Sequence, residues 1–417
     1  MQERPIKILF LSDNYPPEVN APASRTYEHI QQWVRNGADV TIITCAPNFP
    51  QGKVFEGYKN KLFSKTLQDG VTVIRVWSYI TANEGFVKRI LDYVSYSLTS
   101  FFVGLFQGCD IIVATSPQFF TAVSGCLLAI FKRKPWIMEV RDLWPESIKA
   151  VSAMKSDSKV FVFLEWIERW LYKRAASIVV VTDTFKEKLL EWGVNADKIH
   201  IVKNGVMLDK FEYLPKNSDL VKQLNLENKF VIGYIGTHGM AHKLDFIIET
   251  AAKIMDERIH FLYIGNGAEK EKIKLLAKNL NVKNCTFLDS VSKDLINEYI
   301  SITDVSLVPL KKSDTFKTVI PSKIFENAAM QKPILLGVEG EAKGIIERYK
   351  AGICFEPENE KELILAIEKL MMDVDFYDQL KIGCANLARD FDRIKLADSM
   401  LEIIKTTFNK ATKQNEN

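Results

Sequence analysis

A regular alternation between short apolar, β-branched segments and longer segments with helical spacing constrains the fold of this chain most strongly. The alternation covers most of the chain and occurs twice. The first series predicts strands at residues 6–12, 39–45, 71–77, 111–115, 136–140, 178–181 and 199–202. The second predicts strands at residues 230–235, 259–264, 285–288, 305–310, 334–338 and 353–355. Nearly continuous apolar strands are typical of parallel sheets with helices on both faces, so the pattern predicts two doubly wound α/β domains.

The two series are separated by residues 203–229, which contain turn residues and charges without strand periodicity. We therefore predict an N-terminal Rossmann-like domain at residues 1–205 and a C-terminal one at residues 206–395. The last helical segment, within residues 396–417, is predicted to pack back across the seam and to end in a polar tail. A chain of 417 residues, 47% of them apolar, can fill two cores.

The composition argues against several classes of protein. A net charge of +3 disfavours a polybasic nucleic-acid binder, so no nucleic-acid partner is expected. The six cysteines include no CxxC pair and mostly stand in apolar segments, which favours reduced core thiols in the cytoplasm over disulfides or zinc. The first twelve residues lack a small-residue cleavage site, so we interpret them as a first strand rather than a signal peptide.

Two glycine-containing segments follow the first two strands of the second series. Residues 233–243 read GYIGTHGMAHK and place Gly236, His238 and Lys243 at a predicted helix start, where backbone N–H groups bind pyrophosphate well. Residues 263–269 read YIGNGAE and place Gly265 and Asn266 at the next strand-to-helix turn. The spacing is not GxGxxG, and the second strand lacks an acid for a dinucleotide ribose, so a nucleotide sugar is favoured over a dinucleotide. A solvated lysine remains the alternative for Lys243.

A third segment, residues 321–333, reads PSKIFENAAMQKP and begins a helix just before an apolar strand. Glu326 is the strongest candidate here, since a carboxylate can accept hydrogen bonds from both hydroxyls of a ribose. The alternative is an acid in the first turn of a helix, stabilised by the helix dipole. Lys323 is predicted to meet the phosphate of the nucleotide sugar, with a solvated lysine as the alternative.

This segment resembles the donor-site helix of the family 4 glycosyltransferases, which have the B-type fold. In that family a Glu, seven residues and a second Glu contact the donor sugar and the nucleotide ribose. The resemblance places Glu326 at the second position and assigns it a catalytic role as well, whereas Thr318 stands where the first Glu would be. It also implies that Ser322, which matches the segment, belongs to the donor site with Lys323. Asn204, Gly205, Val206 and Phe211 match the family's NGVDxxxF segment. RDLWPES, residues 141–147, strongly resembles a run in O-antigen and capsule transferases, including those for N-acetyl-L-fucosamine.

The resemblance extends to the first domain, which it implies binds the acceptor. The family has a YPP segment followed by a glycine pair that approaches the donor phosphates, but here Asn20 and Ala21 stand at the glycine positions. Asn20 and Arg25 are therefore assigned to the acceptor, which Arg25 would meet if it is anionic.

The segment 139–146 ends a predicted strand, the place where doubly wound sheets hold their sites. Arg141 is assigned to the acceptor. Many relatives have a His near this place, and this chain has none between residues 29 and 200. Asp142 is therefore preferred over Glu139 and Glu146 as a catalytic base, with a structural loop acid as the alternative. The family implies a retaining reaction, whereas a base at Asp142 would suit inversion.

The resemblance implies GT-B domains that face each other across a cleft. The predicted reaction moves a sugar, with N-acetyl-L-fucosamine expected, from a UDP-sugar to a polyprenyl-diphosphate-linked saccharide in surface polysaccharide biosynthesis. No metal or other cofactor is expected, because the acidic pairs at 373/375 and 390/392 lie beside helical segments and do not end a strand. A sugar-nucleotide 2-epimerase and a non-catalytic membrane-docked scaffold remain the alternatives.

The segment 84–108 bears on membrane association. Its charge-free run, residues 93–106, is shorter than the roughly 20 residues needed to span a bilayer, but it suits an interfacial helix or a buried core helix. Lys88, Arg89 and the basic residues 132–134 favour docking on an anionic surface. We therefore expect a cytoplasmic protein attached peripherally to the inner face of the cell membrane.

Overall fold

The computed structural model describes residues 4–49, 51–81, 86–116, 118–144, 159–292 and 294–416. The chain divides into two compact units. Unit 1 comprises Met1–Asn204 together with Arg393–Asn417, and unit 2 comprises Gly205–Asp392. The chain passes from unit 1 to unit 2 after Asn204 and returns to unit 1 after Asp392. The predicted boundaries, after residues 205 and 395, lie one and three residues later.

Unit 1 is built on one eight-stranded sheet. Its strands are β1 Lys7–Leu11, β2 Asp39–Cys45, β3 Phe63–Gln68, β4 Val71–Val76, β5 Ile111–Thr115, β6 Trp136–Val140, β7 Ser177–Val180 and β8 Ile199–Ile201. They lie in the order β3-β4-β2-β1-β5-β6-β7-β8, and neighbours are parallel except for the antiparallel pair of β3 and β4. The sequence did not predict β3, because this edge strand is largely exposed and lacks an apolar run.

Helices cover both faces of this sheet. They are α1 Ala21–Arg35, α2 Phe86–Leu105, α3 Phe119–Lys132, α4 Lys159–Arg174, α5 Asp183–Glu191 and the C-terminal helix Arg393–Glu416. The side chain of Asn20 caps α1 by accepting a hydrogen bond from the Ala23 amide at 2.8 Å, and Pro22 fits the first turn. Over the described residues, no helix combines the length and the apolar character needed to cross a bilayer.

The C-terminal helix belongs to the core of unit 1. The indole Nε1 of Trp33 in α1 donates a hydrogen bond to the carbonyl oxygen of Ala397 at 2.8 Å. Met400, Leu401 and Ile404 are completely or almost completely buried in the same apolar cluster as Trp33. The last segment of the chain therefore returns to the first unit and completes its core.

Unit 2 is built on a six-stranded, all-parallel sheet. Its strands are β9 Phe230–Ile235, β10 Ile259–Ile264, β11 Cys285–Leu288, β12 Val305–Pro309, β13 Ile334–Gly337 and β14 Gly352–Cys354, in the order β11-β10-β9-β12-β13-β14. Its helices are α6 Ser218–Gln223, α7 Leu244–Ala251, α8 Lys270–Asn279, α9 Ile296–Ser301, α10 Lys323–Ala329, α11 Glu341–Tyr349, α12 Glu360–Met372 and α13 Val374–Asp390. Two doubly wound α/β domains are thereby confirmed.

Each sheet reverses its direction of winding beside its first strand. In unit 1, β1 lies between β2 and β5; in unit 2, β9 lies between β10 and β12. Doubly wound sheets bind ligands at such a point, outside the carboxyl ends of the strands, because the loops on either side diverge there. The loops that follow β1 and β9 are therefore the natural places for a site in each unit.

Candidate functional site

In unit 2, the loops that follow β9 and β10 touch each other through their backbones. Gly265 has a φ of +143°, and a Cβ atom there would lie 1.9 Å from the carbonyl oxygen of Gly236. A Cβ atom at Gly267 would lie 2.4 Å from the carbonyl oxygen of His238. The His238 amide donates to the Asn266 carbonyl oxygen at 3.0 Å. These contacts require glycine, and they bring four of the predicted donor-site residues together.

Lys323, in the first turn of α10, points toward these loops. Its ammonium is buried without a hydrogen-bond partner among the described residues, and it lies 4.1 Å from the centre of the Tyr234 ring. A Cβ atom at Gly236 would lie 2.8 Å from Nζ of Lys323. Burial lowers the pKa of Lys323 to about 8, and the charge of Glu326 opposes this shift. The Tyr234 ring offsets part of the cost of burying this cation, which has no hydrogen-bond partner, so this place suits an anion.

His238 is a second buried group without a partner at the same place. Its side chain is fully buried, and neither ring nitrogen has a hydrogen-bond partner among the described residues. Burial, with the charges of Lys270 and Lys323, lowers the pKa of His238 to about 4. The imidazole is therefore neutral at neutral pH, and it can donate one N–H to a bound anion.

Lys270, at the start of α8, holds the second glycine loop in shape. Its ammonium donates to the carbonyl oxygens of Gly265 and Leu288 at 2.8 and 2.9 Å, and to Oδ1 of Asn266 and Asp289 at 3.0 and 2.6 Å. The sequence analysis did not identify this lysine. Its signal was its position one helical turn after Asn266, which lets a long side chain fold back onto the loop.

Lys243, also predicted to bind the donor, is already paired. It has a left-handed backbone conformation with φ of 49°, and its ammonium lies 3.0 Å from Oδ2 of Asp245. The hydrogen bond to Asp245 raises the pKa of Lys243. A phosphate at this ammonium would share it with an existing partner, so Lys243 is a weaker anion ligand than Lys323.

The apolar side of α10 fixes the direction of its polar side. Ile324 and Phe325 are fully buried, and the Phe325 ring stacks on Phe391 with 4.8 Å between centroids. Lys323 and Glu326 are three residues apart and so lie on the same face of the helix. The core of unit 2 therefore orients the lysine and the carboxylate together.

The two remaining predicted donor residues flank this helix. Thr318 ends the short 3-10 helix Asp314–Thr318, and its hydroxyl donates to the carbonyl oxygen of Thr315 at 3.0 Å. Ser322 stands at the N-cap of α10 without a side-chain capping bond. A hydroxyl at each position can contact a ligand, but neither supplies the carboxylate that the family pattern has eight residues before Glu326.

Unit 1 has a cavity of about 280 Å³ at the carboxyl ends of its strands. We name it the acidic cavity, because four carboxylates and one guanidinium are among the described residues that line it. Its polar lining comes from segments that follow five strands, β1, β2, β4, β5 and β6, and from α2. Aromatic rings form part of its wall. The charged and aromatic members are Asp13, Glu18, Phe49, Arg89, Asp92, Tyr93, Tyr96, Asp142 and Trp144.

Two predicted residues of unit 1 line the acidic cavity. Asp142 is one of them, and its backbone amide lies 3.4 Å from the hydroxyl of Ser116, which follows β5. Asn20 is the other, although its amide oxygen already caps α1 and its Nδ2 donates to Oδ1 of Asn14 at 2.5 Å. Glu146, which the sequence offered as an alternative to Asp142, lies outside the described residues.

The structure corrects the assignment of Arg25 to an acceptor. This residue is 2% exposed, and its guanidinium donates two hydrogen bonds to Oε1 of Glu139, both at 3.1 Å. It also donates to the carbonyl oxygens of Lys203 and Val202 at 2.9 and 3.0 Å. These four bonds occupy the guanidinium inside the protein. Arg25 therefore ties α1 to β6 and to the end of β8 instead of meeting a ligand.

Arg141 lies beside this interior ion pair. Its backbone amide donates to the Ser116 hydroxyl at 2.9 Å, and its guanidinium lies 3.5 Å from the Pro22 carbonyl oxygen. Burial lowers the pKa of Arg141 to about 10, and Glu139 opposes the shift. Arg141 does not line the acidic cavity, so its assignment to the acceptor stays a prediction without a contact that supports it.

Helix α2 exposes apolar side chains and also packs into unit 1. Tyr96 and Ser100 are fully buried, and Gly104 allows the close approach of Leu128 in α3. The opposite side of the helix leaves Leu91, Leu98, Phe102 and Phe106 between 52% and 85% exposed. The helix thus has one buried face and one face with exposed apolar side chains, and membrane docking of the exposed face stays a prediction; Glu84 lies outside the described residues.

The structure also bears on metal binding. Within the described ranges, no three His, Cys, Asp or Glu side chains are grouped closely enough to hold a metal ion. Among the acidic pairs near the C-terminus, Asp373 caps α13 through the Phe376 amide at 3.0 Å, and Asp390 accepts a hydrogen bond from Tyr349 at 2.8 Å. These two acids have structural partners in unit 2.

Comparison with known proteins identifies both units. Residues 20–205 match the family "Glycosyl transferase 4-like domain", and residues 216–383 match the family "Glycosyl transferases group 1". Both halves of this chain are therefore glycosyltransferase domains. Among curated relatives, the "Putative colanic acid biosynthesis glycosyl transferase WcaI" of Escherichia coli K12 is 25% identical over 379 residues, which cover 88% of this chain and 92% of the relative.

Solved structures of glycosyltransferases share the fold. Sucrose-phosphate synthase from Thermosynechococcus elongatus superposes with a TM-score of 0.79 at 15% identity, over 97% of this chain and 100% of that one. HepE from Anabaena, in complex with UDP-glucose, superposes with a TM-score of 0.69 at 15% identity, over 96% and 100% of the two chains. The two α/β domains are thus those of the GT-B glycosyltransferase fold.

Proposed function

We propose that this glycosyltransferase transfers a sugar from a UDP-sugar to a lipid-linked saccharide in surface polysaccharide biosynthesis. The buried ammonium of Lys323, which has no hydrogen-bond partner among the described residues, carries the proposal, because it marks an anion site beside two glycine loops. The relative named for colanic acid biosynthesis supports the pathway class, and the fold shared with a protein that binds UDP-glucose supports the donor class.

The donor diphosphate is proposed to bind where the two glycine loops meet. Lys323 would pair with it directly, and the neutral imidazole of His238 would donate one hydrogen bond. During transfer the bond between the sugar C1 and the diphosphate oxygen breaks, and negative charge grows on the leaving diphosphate. A fixed ammonium and backbone N–H groups stabilise that charge, so the proposed reaction needs no metal ion.

Glu326 and Thr318 are proposed to bind the donor on the two sides of its diphosphate, at the ribose and at the sugar. The Glu326 carboxylate, on the same face of α10 as Lys323, would accept hydrogen bonds from the ribose hydroxyls. Thr318 offers one short hydroxyl where the family pattern has a carboxylate, so it suits a sugar with fewer hydroxyl contacts. We therefore propose a 6-deoxy sugar, N-acetyl-L-fucosamine, as the transferred group.

The acceptor oxygen forms the new bond to C1, and its proton needs a destination. In a retaining reaction the leaving diphosphate can take the proton, so no protein base is required. In an inverting reaction Asp142, which lines the acidic cavity, would take it. Asp142→Asn keeps the size and polarity of the side chain, so a base role predicts a fall in turnover of about 10² to 10⁴ with UDP affinity unchanged. Near-normal turnover, with a retained anomer by NMR, would leave Asp142 without a role as the base.

Attachment to the cell membrane is proposed to use three neighbouring helices of unit 1. The exposed apolar side of α2 is continued by Ile130 and Phe131 at the end of α3, and by Phe163 and Trp166 of α4, whose rings stack 6.0 Å apart. Lys88 lies in α2, and the basic residues 132–134 follow in α3 and beyond. Aromatic and aliphatic side chains beside cations are the composition of a surface that docks on anionic lipid.

This attachment is measured by sedimentation with vesicles that contain anionic phosphatidylglycerol. Lys88→Glu should weaken binding by about 1 kcal/mol, and Lys222→Glu in unit 2 serves as a control of equal charge change. Wild-type protein that stays in the supernatant would rule out the membrane role of this surface.

The overall function is tested with purified protein, a panel of UDP-sugars and a membrane extract containing polyprenyl-diphosphate-linked saccharides. Release of UDP that requires both donor and acceptor supports the proposal. Glu326→Ala should reduce UDP affinity by roughly 2 to 4 kcal/mol in calorimetry while the thermal unfolding midpoint stays unchanged. Formation of an epimer from the UDP-sugar without acceptor would instead identify a 2-epimerase, and absence of UDP binding would contradict both.

A further inference from the structure

The acidic cavity of unit 1 has a charge distribution that the proposed function does not yet use. Asp13 follows β1, Glu18 precedes α1, Asp92 lies in α2 and Asp142 follows β6, and all four line the one cavity. Of the described lining residues, Arg89 supplies the positive charge; its guanidinium donates to the Tyr93 hydroxyl at 3.3 Å, and its Nε lacks a partner. Among the described lining residues, four acidic side chains outnumber one guanidinium, so this lining becomes negative as the acids ionise.

Glu18 gives independent evidence that a ligand belongs there. It is 4% exposed, and its Oε1 accepts hydrogen bonds from the backbone amides of Asn48 and Phe49 at 2.8 and 2.9 Å. Its Oε2 is buried without a hydrogen-bond partner among the described residues. A buried carboxylate oxygen without a donor is unfavourable, so the oxygen is satisfied only when a hydrogen-bond donor enters the cavity.

The pKa values of Glu18 and Asp92 reflect burial and the closeness of other acids. Burial raises the pKa of Glu18 to about 6, although the amides of Asn48 and Phe49 oppose the shift. Burial also raises the pKa of Asp92 to about 7, and the neighbouring charges of Asp13 and Glu18 raise it further. An anion entering the cavity would add to the same repulsion, whereas hydroxyl and amide N–H donors would relieve it.

The size and walls of the cavity limit its occupant further. A volume of about 280 Å³ falls just below the roughly 300–1,000 Å³ of sites for drug-sized ligands, so it suits one sugar ring instead of a whole oligosaccharide or a lipid chain. The rings of Tyr93, Tyr96 and Trp144 give the cavity an apolar, aromatic part, in contrast to the carboxylate oxygens that accept hydrogen bonds. Such a pairing of apolar rings with carboxylates matches a pyranose, which has C–H faces and hydroxyl edges.

Resting on the proposed transferase function, we propose that the acidic cavity binds the terminal sugar of the acceptor and selects an uncharged sugar over a uronic acid or a phosphorylated one. Glu18 and Asp92 accept hydrogen bonds from its hydroxyls, and the negative balance of the cavity excludes carboxylate and phosphate groups. The anionic acceptor that the sequence suggested for Arg25 is thereby replaced by a neutral acceptor terminus.

The test compares octyl glycosides that differ in one group, octyl glucoside and octyl glucuronide, each below its micelle concentration. Their binding to the full-length protein is measured by saturation-transfer NMR with saturating UDP. The proposal expects the glucoside to bind at least tenfold tighter than the glucuronide. It also expects Asp92→Asn to narrow this preference, whereas Asp39→Asn, an equal change at an exposed position of unit 1, leaves it unchanged.

Glu18→Gln provides a second variant, and circular dichroism establishes that each variant is folded. Equal or tighter binding of the glucuronide by wild-type protein would overturn the selectivity, as would a preference that Asp92→Asn leaves intact. Calorimetry with UDP separates this failure from that of the transferase function. If UDP binds but the glucoside is not preferred, the inference about the cavity alone is wrong; if UDP does not bind, the proposed function itself fails.

Discussion

The two units share one architecture but place opposite charges at the point where their sheets reverse. In unit 2, glycine loops and the ammonium of Lys323 surround a place that suits an anion. In unit 1, the corresponding loops hold carboxylates, and Glu18 has an oxygen without a donor among the described residues. Because the strands of both sheets are apolar, the chemistry of each unit comes from the residues just beyond the strand ends.

The two units also differ in whether a buried charge has a partner of opposite charge. Arg25 and Glu139 in unit 1 are both about 3% exposed and satisfy each other. Lys323 in unit 2 is buried with no such partner among the described residues. The first arrangement contributes to the fold, whereas the second costs stability and becomes favourable when a ligand binds. Substitutions at the two sites should therefore have opposite effects on stability.

Arg25→Met is expected to have the largest effect. It leaves the Glu139 carboxylate buried without its partner, and the free energy of unfolding should fall by roughly 3 to 5 kcal/mol. Chemical denaturation of the whole chain measures this change. The double variant Arg25→Met with Glu139→Met should recover part of the loss, because the Glu139 charge is removed together with its partner, while Arg141 loses the neighbouring Glu139 charge. A stable Arg25→Met protein with weakened glycoside binding would instead restore the acceptor role for this residue.

Gly265→Ala is expected to rank second. The new Cβ atom would lie 1.9 Å from a backbone oxygen, and the φ of +143° disfavours any side chain, so unfolding should become easier by about 3 kcal/mol and UDP binding should be lost. Gly239→Ala is the matched control, since its nearest atom would lie 3.7 Å away and its φ of −111° is ordinary. Equal stability of the two variants would show that the glycine loops do not need their close approach.

Lys323→Met should change stability and binding in opposite directions. Removal of a buried cation without a partner should raise the free energy of unfolding by about 1 kcal/mol, while the affinity for UDP falls by roughly 2 kcal/mol, or about thirtyfold. Lys243→Met is the control, because Lys243 already pairs with Asp245 and should affect UDP less. A Lys323→Met protein that is less stable and binds UDP normally would place the lysine in the fold instead of the site.

The sequence predicted more of the fold than of the sites, and the particular residues explain why. Periodicity finds buried strands, so β9 was predicted with its observed bounds, whereas the exposed edge strand β3 was missed. The glycines of unit 2 were recognisable because they follow apolar strands within a few residues. The acids of the acidic cavity are separated by up to 129 positions, from Asp13 to Asp142, and only the sheet topology brings them together.

Arg25 shows that the sequence can also suggest a ligand contact where the structure has an internal ion pair. Its partner Glu139 is 114 positions away in the sequence, and a single arginine near a helix start does not indicate that it will pair with a buried carboxylate. Lys323 was predicted as a phosphate ligand or a solvated lysine, and the structure shows neither a solvated ammonium nor a hydrogen-bond partner for it among the described residues. Burial and the absence of a partner are properties of the packed chain that local sequence does not encode.

The smallest expected effect is a pH dependence of UDP binding that distinguishes the two units. Burial holds the pKa of Lys323 near 8 in the free protein, below its ordinary 10.5, and a bound diphosphate should raise it again. UDP binds the protonated ammonium, so its affinity should be constant from pH 6.5 to about 7.5 and should fall toward tenfold per unit above pH 8. The stability of the free protein moves oppositely, because the cost of the buried charge is relieved as pH rises from about 8 toward 10.5.

The two histidines and the tyrosine near Lys323 do not titrate in this window. The pKa values of His238 and His242 are lowered to about 4 by burial, so both rings are already neutral, and burial raises the pKa of Tyr234 well above its ordinary value. Lys323→Arg retains a cation at every pH used and should abolish the slope while UDP still binds. Calorimetry between pH 6.5 and 9.5 gives the comparison. A slope that persists in Lys323→Arg would assign the proton to another group, and Lys323 would then not be the anion ligand of unit 2.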